Sequence, residues 1–265
     1  MAHGSSVSIK RVGLTIGSNE IMAGIDLDIR AGEFVCLLGP SGCGKSTLLN
    51  AIAGFQDVAG EISVDGKRVK GPGLDRGVVF QSSEALFPWL SVRENVEYGL
   101  KLRSVPAAER RAAAERYVSL VGLKHAIDKF PAELSGGMRQ RAQIARVLVN
   151  EPSVVLMDEP FGALDAQTRE VLQSELDRIW KSTGCTIVFV THDIWEAILL
   201  ADRVVTMTAG PRAHIKTIET VDLPHPRDPA DPACMALYAR IRDDIGAEVT
   251  RVLRAQGLIE EELVK

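Results

Sequence analysis

Long apolar runs are missing. No stretch of about 18 apolar residues occurs in the 265-residue chain, and the greasiest pieces, EFVCLLG and CTIVFV, are only strand-length. The expectation is a chain that does not cross a membrane by itself, although it could sit on a protein that does. The N-terminus, MAHGSSVSIK, lacks the apolar core of a signal peptide. Cysteine is scarce: Cys36, Cys43, Cys185 and Cys234 are scattered without C-x-x-C spacing, which argues against a zinc site or disulfide framework and for reduced thiols. An excess of positive charge is also lacking. With 31 basic against 35 acidic residues the net charge is −4, so no global basic field draws nucleic acid. Aromatic residues make up 5%, and none stands among residues 1–33.

What is present is a core-forming chain, 46% hydrophobic. Its early part reads as short strands: GIDLDI alternates, and EISVDGKRV carries Asp65-Gly66 as a hairpin turn. Between them FVCLL predicts a buried strand, followed by a Gly-rich loop and a helix from Lys45 through Ala53. From Ser91 the period becomes helical, through PAAERRAAAERYVSLVGL and SGGMRQRAQIARVLVNE. Strands and helices then alternate in SVVLMDEP, DAQTREVLQSELDRIWKSTG, CTIVFVTHD and IWEAILLAD, which argues a mostly parallel sheet covered by helices. The expected fold is α/β, a mostly parallel core sheet with an N-terminal antiparallel β subdomain and an inserted helical subdomain at about 88–148. Residues 1–220 would form this domain and 221–265 a tail, with one amphipathic helix from Cys234 to about Gln256.

GPSGCGKST, from Gly39 through Pro40, Ser41, Gly42, Cys43, Gly44, Lys45 and Ser46 to Thr47, matches G-x-x-x-x-G-K-[ST] between a buried strand and a helix. Its glycines let successive backbone N–H groups face one anion, and the helix adds its positive end. Lys45 can reach the β- and γ-phosphates, and the Ser46 hydroxyl can ligate Mg²⁺. VVLMDEP puts Asp158 at the C-terminal edge of a strand, where α/β sheets bind ligands, with Glu159 one residue further out. LSGGMRQ, Leu134 to Gln140, makes Ser135 the N-cap of a helix whose first amides Gly136 and Gly137 leave unobstructed. That is a second anion surface, and one nucleotide does not need two.

The ordered set GPSGCGKST, Gln81 in GVVFQ, LSGGMRQR, VVLMDEP, GALD and VTHD resembles the ATP-binding cassette (ABC) ATPases, from residue 7 to about 220. LSGG ahead of a D-E strand distinguishes that family among P-loop proteins. The resemblance implies an ATPase working with ATP and Mg²⁺, in which two copies pack head to tail and the signature of one, Ser135, Gly136, Gly137 and Gln140, closes over the phosphates held by the other. It implies Gln81, Ser46 and Asp158 in the Mg²⁺ shell, Glu159 as general base, His192 as the γ-phosphate switch, and Asp165 as a dimer bridge near Ser135. At the place where relatives stack adenine on an aromatic residue, this sequence has Ile16.

AGF, GPGLDRGVVFQ, LFPWLSVRENV and DEPFGALDAQTR look like the ATPases of nitrate, sulfonate and taurine uptake systems. Partners implied are a second cassette, membrane-spanning permease subunits and, indirectly, a solute-binding protein, at the cytoplasmic face of the inner membrane and without nucleic acid. Too few residues follow Val221 for the regulatory domain of maltose-type relatives. Within SSEALFPWLSV, Leu86, Phe87, Trp89 and Leu90 are expected to be exposed, with Leu86, Phe87 and Trp89 docking a helix of the permease. Cys43, inside the cradle, has two readings: a thiol that bulky reagents block unless MgATP protects it, or a small filler residue in a tight loop. The competing class is a soluble mechanochemical ATPase with a nucleic-acid or protein client. Trp195 and the tail helix carry no functional reading beyond packing.

Overall fold

A computed structural model describes residues 4–81, 85–162, 164–255 and 257–258. The chain divides into two compact units, one drawn from Ser6–Pro72 and the chain from Val188 onward, the other centred on Gly73–Ile187.

In the first unit, β1 (Val7–Ile16) and β2 (Asn19–Ile29) alternate buried and exposed residues and pair antiparallel. They belong to a four-stranded antiparallel sheet with β4 (Ala59–Val64) and β5 (Lys67–Arg68), in the order β2-β1-β4-β5. The β4–β5 turn is the expected two-residue hairpin: Asp65 (φ 47°) and Gly66 (φ 74°) are both left-handed, the geometry that lets a tight turn follow the strand twist. Between these strands, β3 (Phe34–Leu38) is buried at every position and leads into α1 (Lys45–Ala53). Such continuous burial suits a parallel strand covered on both faces, and β3 pairs parallel with β9 (Arg203–Met207). The latter pairs antiparallel with β10 (Ile215–Thr220). The unit is completed by α6 (Ile194–Leu200), packed on β3, and by α7 (Pro232–Ala255), packed on α6 and β9.

The second unit holds β6 (Arg76–Val79), parallel to β7 (Val154–Asp158). Its helices are α2 (Val92–Leu102), α3 (Ala107–Leu120), α4 (Gly136–Leu148) and α5 (Ala166–Thr183); the first three pack on one another, and α4 also lies on β6. The chain returns to the first unit within β8 (Thr186–Val190). The helices expected at about 88–148 are thus grouped with β6, β7 and α5. The tail helix begins two residues earlier than expected, because Asp231 caps it by accepting from the Ala233 N–H at 2.8 Å; Gln256 lies outside the described residues.

The start of α2 is closed by a capping box. Ser91 accepts from the Glu94 N–H at 3.3 Å and Glu94 accepts from the Ser91 N–H at 2.8 Å. The Ser91 backbone and hydroxyl donors hold the Glu94 carboxyl below its ordinary value. Ser91→Ala should therefore cost about 1 kcal/mol, seen as a melting temperature lower by roughly 2–4 °C. The Glu94 half of the box is at full strength above the usual glutamate pKa and is lost as pH falls through the lowered one. A wild-type-minus-mutant difference in thermal melts should accordingly shrink below about pH 4.

Candidate nucleotide site

The phosphate-loop motif links β3 to α1. Gly42 (φ 79°) and Gly44 (φ 92°) take left-handed conformations that other residues rarely adopt, and these turn the chain sharply into the helix. Lys45 is buried, its ammonium donating to the carbonyls of Gly39 (2.7 Å) and Pro40 (3.0 Å). Ser41, Gly42 and Ser46 form the exposed lip. Cys43 corrects an expectation: its side chain is 0% exposed and its N–H donates to Pro40 at 3.3 Å. It packs the inside of the loop, so a bulky reagent has no path to it.

Helix ends single out two places. An N-terminus carries about half a positive charge and unsatisfied N–H groups, and most helices answer it with a carboxylate. Here α2 has Glu94, α3 has Glu109, and α5, α6 and α7 are preceded by Asp165, Asp193 and Asp231. Among the described α-helices only α1 and α4 have no acid at the cap or in the first turn. In α1 no side chain caps the end at all; in α4 the exposed Ser135 accepts from Met138 N–H at 3.3 Å. Those two ends are left without a carboxylate from their own sequence.

In the second unit the structure brings several expected residues together. Asp158 ends β7, and Glu159 follows with φ 43°, a left-handed conformation that costs a non-glycine residue about 1 kcal/mol or more and clusters at functional sites. Glu159 Oε2 accepts from Gln81 Nε2 at 3.1 Å, which turns the Gln81 carbonyl oxygen toward other partners. The N-terminal ends of α4 and α5 meet: a methyl on Gly137 would lie 2.6 Å from Thr168 Cγ2, and Asp165 caps α5 by accepting from Thr168 N–H (3.0 Å) and Oγ1 (2.8 Å). Those bonds hold the Asp165 carboxyl below its usual range. Ala163, within the GALD motif, lies outside the described residues. Gln140 is a second correction: it is 2% exposed, one turn along α4 from Gly136 and among the buried residues of that helix, so its side chain is taken up by packing within the chain.

His192 is exposed after β8. Its frame is the capped start of α6, which extends beyond the VTHD motif. Asp193 caps α6 through Trp195 N–H (2.8 Å) and Glu196 N–H (3.3 Å), while buried Thr191 Oγ1 donates to Glu196 (2.5 Å). The D-x-x-E spacing of Asp193 and Glu196 signalled that cap. Ile16 ends β1 at a hairpin tip and is 53% exposed.

The docking expectation needs a third correction. Leu86 is 3% exposed, a core anchor, because Asn95 ties the loop inward, accepting from the Phe87 N–H (2.8 Å) and donating to the carbonyls of Phe87 (3.1 Å) and Leu90 (2.9 Å). Phe87 packs on Tyr98 with centroids 4.6 Å apart. Leu90 is half-buried, whereas Trp89 is 70% exposed and lines a groove of 610 Å³ with Tyr98 and Phe130. Ser82, Ser83 and Glu84 lie outside the described residues.

Residues 22–162 match the pattern of the family described as ABC transporter. The chain belongs to that family. The bicarbonate transport ATP-binding protein CmpC of Synechococcus elongatus is 51% identical over 234 residues, 86% of this chain; the chain spans only 35% of that protein's length. An uncharacterized ABC transporter ATP-binding protein of Methanocaldococcus jannaschii is 48% identical over 231 residues, 87% of this chain and 86% of that one. Among solved structures, the dimeric post-hydrolysis state of the ATP-binding cassette MJ0796 bound to ADP and Pi has a TM-score of 0.71 at 32% identity, covering 82% of this chain and 99% of that one. Another is cbiO1 of Clostridium perfringens, part of the ABC transporter complex cbiONQ: TM-score 0.76, 26% identity, 95% of this chain and 98% of that one. The ABC cassette described here is therefore an ATPase module.

Gly136 and Gly137 of the cassette should behave differently when changed. A methyl on Gly136 meets nothing within 4 Å. Gly137→Ala collides with a Thr168 methyl whose rotamer the Asp165 bond pins, and should cost about 1–3 kcal/mol. Thermal unfolding of the isolated chain should show a clear loss for Gly137→Ala and none for Gly136→Ala.

Proposed function

We propose that the chain is the ATP-binding and hydrolysing subunit of an importer, energising uptake of a small oxyanion-like solute such as bicarbonate, nitrate, a sulfonate or taurine. The observation that carries the reading is the pair of helix ends without a carboxylate, at Lys45 and at Gly136. One cradle receives the phosphates of ATP bound to this copy, and the other closes over ATP held by a twin. Two chains packed head to tail complete two sites. The bicarbonate transport relatives, the dimeric cassette and the cbiONQ subunit support this direction. No described helix is long and apolar enough to cross a membrane, so the spanning part belongs to a partner in this reading.

Within a site, Lys45 and the amides of Gly42–Thr47 hold phosphate oxygens, and His192 contacts the γ-phosphate. Ser46, Gln81 and Asp158 would hold Mg²⁺. Hydroxyl, amide carbonyl and carboxylate oxygens are the hard donors it takes, and the Gln81–Glu159 bond leaves the Gln81 carbonyl available. When bound, the ion neutralises phosphate charge. Glu159 orients and deprotonates the attacking water. Asp165 stands at the start of α5 beside the signature and bridges the dimer. Ile16 offers adenine an apolar contact without ring stacking. The groove edged by Trp89 and Phe130 receives a cytoplasmic helix of the permease.

Mixing tests the head-to-tail reading. Glu159→Gln alone should slow hydrolysis roughly 10²–10⁴-fold with ATP binding retained, and Ser135→Arg alone should also abolish turnover. In a heterodimer of the two, one site combines both intact halves, so mixing the inactive proteins should restore ATPase activity. No recovery with heterodimers demonstrably formed would refute the arrangement. For docking, Trp89→Ala should leave the melting temperature unchanged yet weaken co-purification with the permease. Leu86→Ala should instead destabilise the chain by about 2–5 kcal/mol.

A further inference from the structure

Both main-chain polar groups of one buried residue, Ala209, are held by side chains of the tail helix. Its N–H donates to Glu248 Oε2 at 2.9 Å, and its carbonyl accepts from Arg251 Nη2 at 3.2 Å. Glu248 is itself 7% exposed and is braced by Lys216, whose ammonium lies 3.2 Å from Oε1 and donates to the Asp244 carbonyl at 2.7 Å. Burial alone would raise the Glu248 carboxyl; the Ala209 N–H and Lys216 outweigh it and keep the group below its ordinary value, an ionised acceptor. A charge-assisted bond from a buried carboxylate to a single peptide is a strong and directional tie.

The segment so tied is the back wall of the phosphate loop. A methyl on Gly39 would sit 3.0 Å from the Met207 carbonyl oxygen, and one on Gly210 would sit 3.6 Å from the Gly42 carbonyl oxygen. Residues 207–210 therefore lie backbone against backbone with the turn that shapes the cradle. On the far side of the same segment, Arg212 N–H donates to Glu20 (2.8 Å) and Ala213 N–H to Ile21 (3.0 Å). Side chains of Ile21 and Met22 in turn press on Gly44, 3.1 and 2.9 Å from where its methyl would be. The same tail helix reaches the segment after His192: Tyr238 stacks on Trp195, the second residue of α6, at 4.6 Å and 19°.

We infer that α7 is a positioning strap for nucleotide binding, with Glu248 and Arg251 setting the phosphate loop through Ala209 and Tyr238 setting the His192 segment through Trp195. This deepens the reading of Gly39–Thr47 as an ATP cradle and rests on it. Glu248 and Arg251 touch no substrate. They hold the wall against which the cradle's carbonyls are packed, and so fix the direction of its amides.

The test is a comparison of KM, kcat and the dissociation constant for a fluorescent ATP analogue with Mg²⁺, in the full chain, alongside thermal melts. Glu248→Ala should weaken nucleotide binding and raise KM by roughly 5- to 30-fold, the range expected when a buried N–H loses its acceptor, with kcat at saturation little changed. Glu248→Gln, which keeps an acceptor oxygen for Ala209, should recover most of that loss. Arg251→Met, at an exposed position, should fold normally and show a smaller rise in KM, which keeps the inference testable if Glu248→Ala fails to fold. Tyr238→Ala should lower kcat with KM little changed. Unaltered affinity and KM in both Glu248→Ala and Arg251→Met, equal defects in Glu248→Gln and Glu248→Ala, or a lowered melting temperature with nucleotide binding intact would each overturn the strap. Lys45→Ala separates the two levels: if it binds the analogue as tightly as wild type, the cradle reading itself falls, and the strap with it.

Discussion

An α-helix that begins without a carboxylate leaves about half a positive charge and several N–H groups unanswered, and this chain does so at α1 and α4 alone among its described α-helices. Elsewhere the sequence supplies its own answer, from the Ser91–Glu94 box to the aspartates ahead of α5, α6 and α7. Selective omission of that answer, at the two places where glycines also clear the approach, ties fold to function. The architecture delivers α1 after a fully buried strand and α4 after a short extended lead whose Leu134 is buried. Both ends are fixed by packing, and neither can relax to hide its amides.

The proposed general base, Glu159, shows the converse economy. Glu159 sits in a left-handed conformation directly after β7, a conformation the strand would not impose by itself. The bonds from Gln81 and from Gly162 N–H to its carbonyl (3.2 Å) offset that strain and aim the side chain. Gln81 is followed within a few residues by a loop that Asn95 and Arg146 tie down, the latter donating to the Ala85 carbonyl at 2.8 Å while its guanidinium lies 5.4 Å from the Phe87 ring centroid. A partner pressing on exposed Trp89 would act on the braced loop from Ala85 to Leu90.

Local chemistry made much of this legible. The bounds of α1, the Asp65-Gly66 hairpin and the Ser135 cap follow from residue types whose effect is confined to one turn. The misplacements have one cause. Leu86 and Cys43 stand in segments with no clean period, and Gln140 is a polar residue on the buried side of a helix; the burial of all three is decided by partners distant in sequence or by the closure of a loop on itself. No alternation exists in ALFPWLS to mark Leu86 as inward and Trp89 as outward. Asn95, fully buried and bonded to three loop carbonyls, makes that choice, and nothing in its neighbourhood announces it. Trp195 and the tail helix were opaque for the same reason, since Tyr238 stands 43 positions away.

In the proposed reading the base meets Ile16, and the source of nucleotide affinity follows from that contact. Stacking between aromatic rings is worth about 0.5–1.5 kcal/mol beyond area burial, and an exposed isoleucine at a hairpin tip cannot supply it. Base contact being weaker, a larger share of the binding free energy must come from the phosphates, through amides whose value depends on direction. Hydrogen bonds weaken steeply as their angle opens, so a cradle carrying that share tolerates little wobble. A wall at residues 207–210 held by a buried carboxylate, rather than by apolar packing alone, limits that wobble. The helix that provides it lies outside every motif, and its contribution is geometric: it makes a flexible glycine turn behave as a rigid one.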